Sequence, residues 1–363
     1  MAKHKVRFEP VDIEIEVDEE ETVLDAAFRQ GVSFFHGCRE GQCSACKQFL
    51  VDGDLDMDRY STFALNEYEA EEGYVLLCRA HAYSDLEIEL IYYDEDMMRM
   101  GIPIQEVQAE VEEIESLTPE IKRFVLKLVE PPEMAFRAGQ YAELYVPGSE
   151  EHRAYSMANT PYSDKRAEFI IRVFPDGTFS SLLESDLKVG DNLQMKVPYG
   201  VFMLREDYDS DVIFIGGGTG MAPLLSILRY MARKGIKRNV TFYFGARARK
   251  DLFYVDEIRE LGERLPGEFR FVPALSEPEP DDEWDGETGL LTNVVERLEE
   301  DLTGAEAYIA GPPPMIDAAL PVLESKGVEA NKIYYDKFTE SGAVEGEEDK
   351  EQSGPEQAEE ATR

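Results

Sequence analysis

Cys38-Arg39-Glu40-Gly41-Gln42-Cys43-Ser44-Ala45-Cys46 is the stretch that decides how the first part of this chain folds. It contains three of the four cysteines in the 363-residue sequence, and the fourth, Cys78, follows thirty-two residues later. All four fall in the first quarter of the chain, where scattered structural cysteines would rarely cluster. Because a disulfide framework is uncommon in a large cytoplasmic protein, the clustering indicates a metal site.

The cysteine spacing is C-x4-C-x2-C followed by one distant cysteine, which is the plant-type pattern of a 2Fe–2S cluster. Two irons need four thiolates, and Gly41 can take a positive φ that turns backbone N–H groups toward sulfur. A four-cysteine zinc site is the alternative, but such sites usually pair two C-x2-C hairpins. We predict His36 and His81 as packing or surface residues, and the iron ligands as Cys38, Cys43, Cys46 and Cys78.

The chain is strongly acidic, with 76 Asp and Glu against 37 Lys and Arg and a formal net charge of −39. A surface this negative repels phosphate backbones, so we expect no nucleic-acid partner. The charge fits either simple solubility or attraction to a basic protein partner. The sequence holds no uncharged apolar run of about 18 residues and begins without a signal-peptide core, so we expect a cytoplasmic protein and no membrane association.

The length of the chain predicts two or three domains, at roughly 150 residues per domain. Residues 1–100 form the first predicted domain, with strands at Val6–Phe8 and Val11–Val17 and a helix over Thr22–Arg29. The segment Asp94–Pro103 mixes charged residues with methionine, and we expect it to be a linker.

The pattern of predicted secondary structure changes twice in the remainder of the chain. Residues 104–207 are mostly short strands at hairpin spacing, which suggests a closed antiparallel barrel. Residues 208–340 alternate strands with helices, which indicates a parallel α/β sheet. Residues 341–363 are rich in Glu and almost free of large apolar side chains, so we expect a disordered acidic tail.

Arg153-Ala154-Tyr155-Ser156 supplies the residue types that a flavin dinucleotide needs. An arginine fork suits a pyrophosphate, an aromatic ring suits a flat isoalloxazine, and a hydroxyl can hydrogen-bond the ring nitrogen that accepts hydride. Downstream, Gly177-Thr178-Phe179-Ser180-Ser181 leads into a helical stretch whose N-terminus is a natural phosphate site. From the residues alone, a barrel-core role for Tyr155 and a simple turn at Gly177 are equally good explanations.

A strand over Asp211–Ile215 runs into Gly216-Gly217-Gly218-Thr219-Gly220-Met221-Ala222-Pro223, an order that lets backbone amides approach a pyrophosphate. The spacing is not G-x-G-x-x-G, and no acidic residue ends the second strand, so the ordinary dinucleotide fingerprint is absent. A tight turn is the alternative, although four glycines in five positions exceed what a turn needs. Gly311 and Pro312 follow a later strand at its carboxyl end, the edge where parallel sheets bind ligands.

In this order, the motifs resemble those of reductase components of multicomponent oxygenases, most of all those of bacterial di-iron alkane monooxygenases of the methane and propane type. The resemblance covers about residues 4–340. It implies a β-grasp ferredoxin domain, an antiparallel FAD barrel and a Rossmann-like NAD domain. It also implies that the protein passes electrons from NADH through FAD and the 2Fe–2S cluster to a separate di-iron hydroxylase, and we expect a monomer. The reductase of an aromatic-ring dioxygenase or phenol hydroxylase shares every motif, and a non-enzymatic redox sensor is the alternative from another class.

The resemblance also implies roles for individual residues. Phe338, after a final strand at Ile333–Lys337, is predicted to cover the flavin on the nicotinamide side, while packing at the sheet edge is the alternative. Ala310 stands where relatives often carry a cysteine, so a thiol contribution to hydride transfer is in doubt. The predicted catalytic residues are Ser156 and Phe338. The other predicted cofactor contacts are Arg153, Tyr155, Gly177 and Ser180 for FAD, and Gly216, Gly217, Gly218, Thr219, Gly220, Gly311 and Pro312 for the nucleotide.

The first 100 residues carry 24 acidic and nine basic side chains. We predict that this domain docks on a basic patch of the oxygenase, although a solvated face explains the charges equally well. The acidic candidates are Asp52, Asp54, Asp56, Asp58, Glu67, Glu69, Glu71 and Glu72.

Overall fold

The computed structural model describes residues 2–162, 165–280 and 283–338, which form three principal sheets. The predicted acidic tail, residues 341–363, lies outside the described residues. Among the described helices, none is long and apolar enough to cross a membrane.

The N-terminal unit is a five-stranded mixed sheet in the order β2-β1-β7-β3-β5, with a short β4–β6 pair beside it. Every second residue of β2 is buried, as expected for a strand with one face on a core. The hydroxyl of Thr22 accepts the Asp25 N–H and caps the start of α1, the helix predicted over this stretch. The elements are β1 (Lys3–Glu9), β2 (Ile13–Asp18), α1 (Val23–Arg29), β3 (Lys47–Asp52), β4 (Leu55–Met57), α2 (Glu67–Glu72), β5 (Tyr74–Leu76), β6 (Ala80–Ala82) and β7 (Leu86–Glu89).

The segment Asp94–Pro103, expected to be a linker, instead contains a helix, α3 (Glu95–Arg99). Asp94 caps this helix through the Met97 N–H, and both Met97 and Met98 are fully buried in the N-terminal core. The flexible methionine side chains fill the core, so the segment stays packed where a linker would be solvated.

The middle unit is a six-stranded antiparallel sheet in the order β11-β10-β13-β8-β9-β12. A bridge between Met157 and Phe169 connects the two edge strands, so the sheet is nearly closed and the predicted barrel is confirmed. Its elements are β8 (Gln105–Ser116), β9 (Ile121–Glu130), β10 (Tyr141–Tyr145), β11 (His152–Ser156), β12 (Arg166–Arg172), α4 (Leu182–Ser185) and β13 (Asn192–Tyr199).

The C-terminal unit is a six-stranded parallel sheet in the order β17-β16-β15-β14-β18-β19, which confirms the predicted α/β architecture. The first strand, β14, is buried along its whole length and pairs with β15 on one side and β18 on the other. The chain therefore changes direction across the sheet at β14, and ligands bind at the carboxyl ends of strands at such a point. The elements are β14 (Val212–Gly217), α5 (Met221–Lys234), β15 (Val240–Ala246), α6 (Val255–Glu263), β16 (Phe269–Leu275), β17 (Glu287–Thr288), α7 (Leu291–Leu298), β18 (Glu306–Gly311), α8 (Pro313–Ser325) and β19 (Ile333–Lys337).

Apolar side chains at one end of the barrel join it to both neighbours. Tyr199 and Met203 belong to the core of the N-terminal unit. Phe202 and Leu204 belong to the core that lies under α5 of the parallel sheet. Because these neighbouring residues pack into two different cores, the barrel lies between the N-terminal unit and the parallel sheet.

Candidate functional site

The four cysteine sulfurs lie in two pairs. The Sγ atoms of Cys38 and Cys43 are 3.4 Å apart, and the Cys78 thiol is the neighbour that most raises the pKa of Cys46. Within the described residues, no group of three or more His, Cys, Asp or Glu side chains is arranged to hold a single metal ion. Two pairs of thiols suit two irons better than one zinc, so the donor set fits the predicted cluster.

Backbone N–H groups of the loop point at sulfur, as predicted. The N–H groups of Glu40 and Gln42 lie 3.4 and 3.2 Å from the Cys38 sulfur. These contacts, after the larger effect of the Cys43 thiol, lower the pKa of Cys38 to about 5. Gly41 has a φ of +72°, and an added Cβ would lie 2.8 Å from the Tyr60 Cβ, so glycine is required there. The N–H contacts favour the thiolate of Cys38, the form that binds iron, whereas the Cys38 thiol and burial raise the pKa of Cys43.

The two histidines near the cysteines have other partners, as predicted. His36 is held between the Phe34 carbonyl at 2.7 Å and the Tyr141 hydroxyl at 3.3 Å, and burial lowers its pKa to about 4. His81 lies 3.2 Å from the Asp58 carboxylate.

The two predicted flavin segments meet in the barrel. The Arg153 guanidinium donates to the Thr178 hydroxyl at 2.8 Å and pairs with Glu151 at 2.9 Å. The ring of Tyr155 lies 5.5 Å from that of Phe179. R-x-Y-S and the Gly177–Ser181 turn are therefore neighbours, which the sequence did not establish on its own.

The helix after this turn is shorter than expected, because α4 has only four residues. The buried hydroxyl of Ser180 accepts the Phe174 N–H at 3.1 Å, and a Cβ on Gly177 would collide with it. Gly177 and Ser180 thus shape the turn itself, and their contact with FAD stays a prediction.

Most of the glycines at the end of β14 are required by internal packing. A Cβ on Gly216 or Gly217 would lie 2.8 Å from Leu224 or Met315, and one on Gly220 would overlap the Ala310 carbonyl. Gly218 differs, because it has a φ of +55° and its nearest neighbour would be the Arg172 guanidinium at 3.5 Å. Gly218 and Thr219 form the turn immediately before α5, so this is where a pyrophosphate could meet backbone amides.

Sequence reasoning missed Arg172, the last residue of the barrel strand β12. Its guanidinium lies beside Gly218 and is 3.7 Å from the Glu120 carboxylate. A cation beside the glycine turn suits the charge of a pyrophosphate, but only the tertiary structure brings β12 to that turn.

Gly311, Pro312 and Phe338 gather at the carboxyl edge of the parallel sheet. Gly311 ends β18, Pro312 caps α8, and the Phe338 N–H donates to the Gly311 carbonyl at 3.0 Å. Phe338 is half-buried at this edge. Its position is compatible with covering a flavin, and that role stays a prediction.

Ser156 faces a carboxylate that sequence reasoning assigned no role. Its hydroxyl makes a long hydrogen bond, 3.4 Å, to Oδ2 of Asp336 in β19. Burial raises the pKa of Asp336 to about 6, partly offset by this hydrogen bond. The available signal was an acidic residue two positions before Phe338 in a strand, where side chains alternate.

The basic residues after β15 are held by carboxylates. Arg247 donates to Glu120 at 2.8 Å, and Lys250 donates to Glu279 at 2.6 Å. Their charges could attract the 2′-phosphate of NADPH, and these ion pairs reduce that attraction.

Comparison with known families agrees with the three units. Residues 6–83 match the 2Fe-2S iron-sulfur cluster binding domain, residues 108–204 the oxidoreductase FAD-binding domain, and residues 214–320 the oxidoreductase NAD-binding domain.

Two relatives span nearly the whole chain. The reductase component of propane 2-monooxygenase from Rhodococcus jostii (strain RHA1) is 52% identical over 340 residues, covering 93% of this chain and 92% of the relative. The reductase component DmpP of phenol 2-monooxygenase from Pseudomonas sp. (strain CF600) is 36% identical over 345 residues, covering 95% and 97%.

Solved structures show the same arrangement. The crystal structure of Amycolatopsis cytochrome P450 reductase GcoB has a TM-score of 0.83 and 32% identity, covering 93% of this chain and 99% of that chain. The ferredoxin reductase in carbazole 1,9a-dioxygenase has a TM-score of 0.74 and 28% identity, covering 93% and 99%.

Proposed function

The chain belongs to the reductase components of multicomponent oxygenases, and we propose that the oxygenase it serves is the di-iron hydroxylase of a propane-type alkane monooxygenase. It carries electrons from NADH through FAD and a 2Fe–2S cluster to an oxygenase component. The observation that carries the finer proposal is the 52% identity to a propane 2-monooxygenase reductase, against 36% to a phenol 2-monooxygenase reductase.

When bound, FAD and the cluster supply the redox chemistry, converting hydride transfer into delivery of single electrons. The protein supplies position and electrostatics. Arg153 and Arg172 offer cationic forks for pyrophosphates, and Ser156 offers a hydroxyl whose partner is Asp336. Backbone N–H groups of the cysteine loop stabilise the thiolate of Cys38.

The N-terminal unit offers a docking surface beside the cluster loop. Phe63 is 96% exposed, and two residues earlier the Ser61 N–H donates to the Gly41 carbonyl inside that loop. We propose that Phe63 contributes an apolar contact to the oxygenase component.

The acidic residues predicted to dock on the oxygenase differ in whether they already have an ion-pair partner. Glu69 pairs with Lys47, and Asp58 with Arg79 and His81, which reduces their attraction for a partner. The other candidates are exposed: Asp52, Asp54, Asp56, Glu67, Glu71 and Glu72. We propose that these residues meet basic residues of the hydroxylase.

Reconstitution tests the choice of oxygenase. The purified reductase would be combined with the remaining components of a propane monooxygenase, or with those of a phenol hydroxylase, and NADH consumption would be compared with product formed. We expect coupled propane hydroxylation and inefficient coupling with the phenol system. Coupling with the phenol system alone would refute the proposal.

We also propose that the protein works in the cytoplasm, where NADH is available, and as a monomer. Its three units complete their sheets within one chain. Sedimentation of the FAD-loaded protein at a dimer mass would refute the monomer.

A further inference from the structure

Arg39 occupies a strained position beside the first iron ligand. Its φ is +58°, a left-handed conformation that side chains other than glycine rarely adopt. The turn needs only backbone here, because the sulfur contacts come from the N–H groups of the next residues. The presence of arginine therefore points to a role for its side chain.

The Arg39 side chain leaves the cysteine loop and enters the barrel. Its guanidinium bonds Asp25 in α1 at 2.9 Å and also bonds Glu143 in β10. It lies 4.3 Å from the ring centre of Tyr199 at the end of β13. The Arg39 side chain is 18% exposed and the Glu143 side chain is 6% exposed, so the ion pair between them is largely desolvated.

Glu143 connects this contact to the strand with the predicted flavin residues. It lies directly opposite Ala154 in the β10–β11 register, and its carboxylate is also 3.4 Å from the His152 imidazole. On the same face of β10, Tyr141 lies opposite Ser156 and contacts His36. The cysteine loop thus contacts the strand next to R-x-Y-S.

We propose that Arg39 is a positioning residue for internal electron transfer, holding the cysteine loop at a fixed distance from the flavin strand through Glu143 and Tyr199. Buried ion pairs add little net stability but can specify a unique arrangement, which is what a junction between redox centres requires. Electron transfer slows steeply with distance, so a loosened junction slows this step. The inference rests on the FAD-to-cluster path and is independent of which oxygenase is the partner.

Anaerobic rapid mixing with NADH, without any oxygenase, tests the proposal in the fully loaded protein. Flavin reduction and cluster reduction would be followed separately in Arg39→Gln and Glu143→Gln. We expect flavin reduction to be nearly unchanged and cluster reduction to be slowed by roughly tenfold to a hundredfold in both. Because both variants break the same contact, the double variant should be no slower than the slower single variant.

Arg29→Gln is the matched control, since Arg29 pairs with Glu21 inside the same unit and does not reach the barrel. A second readout is the distance between spin labels at two exposed positions, Tyr83→Cys in the N-terminal unit and Val189→Cys in the barrel. We expect the distance distribution to broaden with Arg39→Gln and to stay narrow with Arg29→Gln.

An unchanged rate of cluster reduction in both variants would overturn the proposal. So would slow reduction explained by loss of iron and sulfide, since Arg39 would then hold the cluster itself. Glu143→Gln keeps the test decisive if Arg39→Gln fails to fold, because Glu143 lies outside the cysteine loop.

Discussion

The hydroxyl of Ser156 lies 3.4 Å from the carboxylate of Asp336, across the boundary between the barrel and the parallel sheet. Ser156 ends β11 and Asp336 lies in β19, the last strand before Phe338. This contact joins the predicted flavin site to the carboxyl edge where the nucleotide loop ends. It makes Asp336 a candidate for setting the charge around the reacting ring.

Asp336→Asn should make stability less dependent on pH. The carboxyl has an ordinary pKa of 3.8 and a pKa of about 6 in the folded chain, so the folded state is favoured by protonation. Wild-type stability from this group is complete below pH 3.8 and is lost as pH rises through 6. The melting temperature of the variant should therefore match wild type near pH 4 and exceed it at pH 7 to 8.

Asp317→Asn is the control, because that carboxylate is exposed and pairs with Lys337. Equal melting temperatures of wild type and Asp336→Asn across the whole range would contradict a raised pKa. Ser156→Ala should raise the pKa of Asp336 further, since it removes the hydrogen bond that lowers it.

Cys46→Ser should remove the cluster and stop onward electron delivery. Serine oxygen is a harder ligand than thiolate, and Cys46 is only 2% exposed, so water cannot easily substitute. Visible absorbance, iron content and flavin reduction by NADH would be measured, and flavin reduction should persist. Ser44→Ala, at an exposed position of the same loop, should keep a full cluster. A normal cluster spectrum in Cys46→Ser would disprove the ligand assignment.

Nucleotide preference should depend on the carboxylates that pair with the cations after β15. In wild type we expect a higher kcat/KM for NADH than for NADPH. Releasing Arg247 and Lys250 with Glu120→Gln and Glu279→Gln should raise kcat/KM for NADPH, by roughly tenfold if one charged hydrogen bond to the 2′-phosphate is gained. A higher kcat/KM for NADPH than for NADH in wild type would contradict the assignment of NADH as the substrate. An unchanged kcat/KM for NADPH in the double variant would show that these cations do not contact the ribose 2′-phosphate.

The sequence predicted what depends on local pattern. Cysteine spacing predicted the loop, and alternation of strands with helices predicted the parallel sheet. The sequence did not predict α3, because methionines mixed with charged residues are also typical of a linker, and only the structure shows that these methionines are buried. It also missed Arg172 and Asp336, because their neighbours Gly218 and Ser156 lie far along the chain and only the packing of barrel against sheet brings them together.

Phe63→Ser should weaken association with the hydroxylase without changing internal electron transfer. Loss of an exposed aromatic contact typically costs about 1–2 kcal/mol, which corresponds to roughly tenfold in affinity. Tyr208→Ser is a control at an exposed aromatic outside the N-terminal unit. Association should also slow as salt rises, because charges are screened beyond about 8 Å at physiological ionic strength. If neither Phe63→Ser nor added salt changes association with the hydroxylase, this docking surface is ruled out.

The most direct test of the whole account is reoxidation of the NADH-reduced protein by the hydroxylase of a propane monooxygenase, followed anaerobically at the absorbance of the cluster. We predict that the cluster reoxidises rapidly on mixing, while the hydroxylase gains an equal number of electrons. A cluster that stays reduced with an active, oxidised hydroxylase present would contradict the proposed partner.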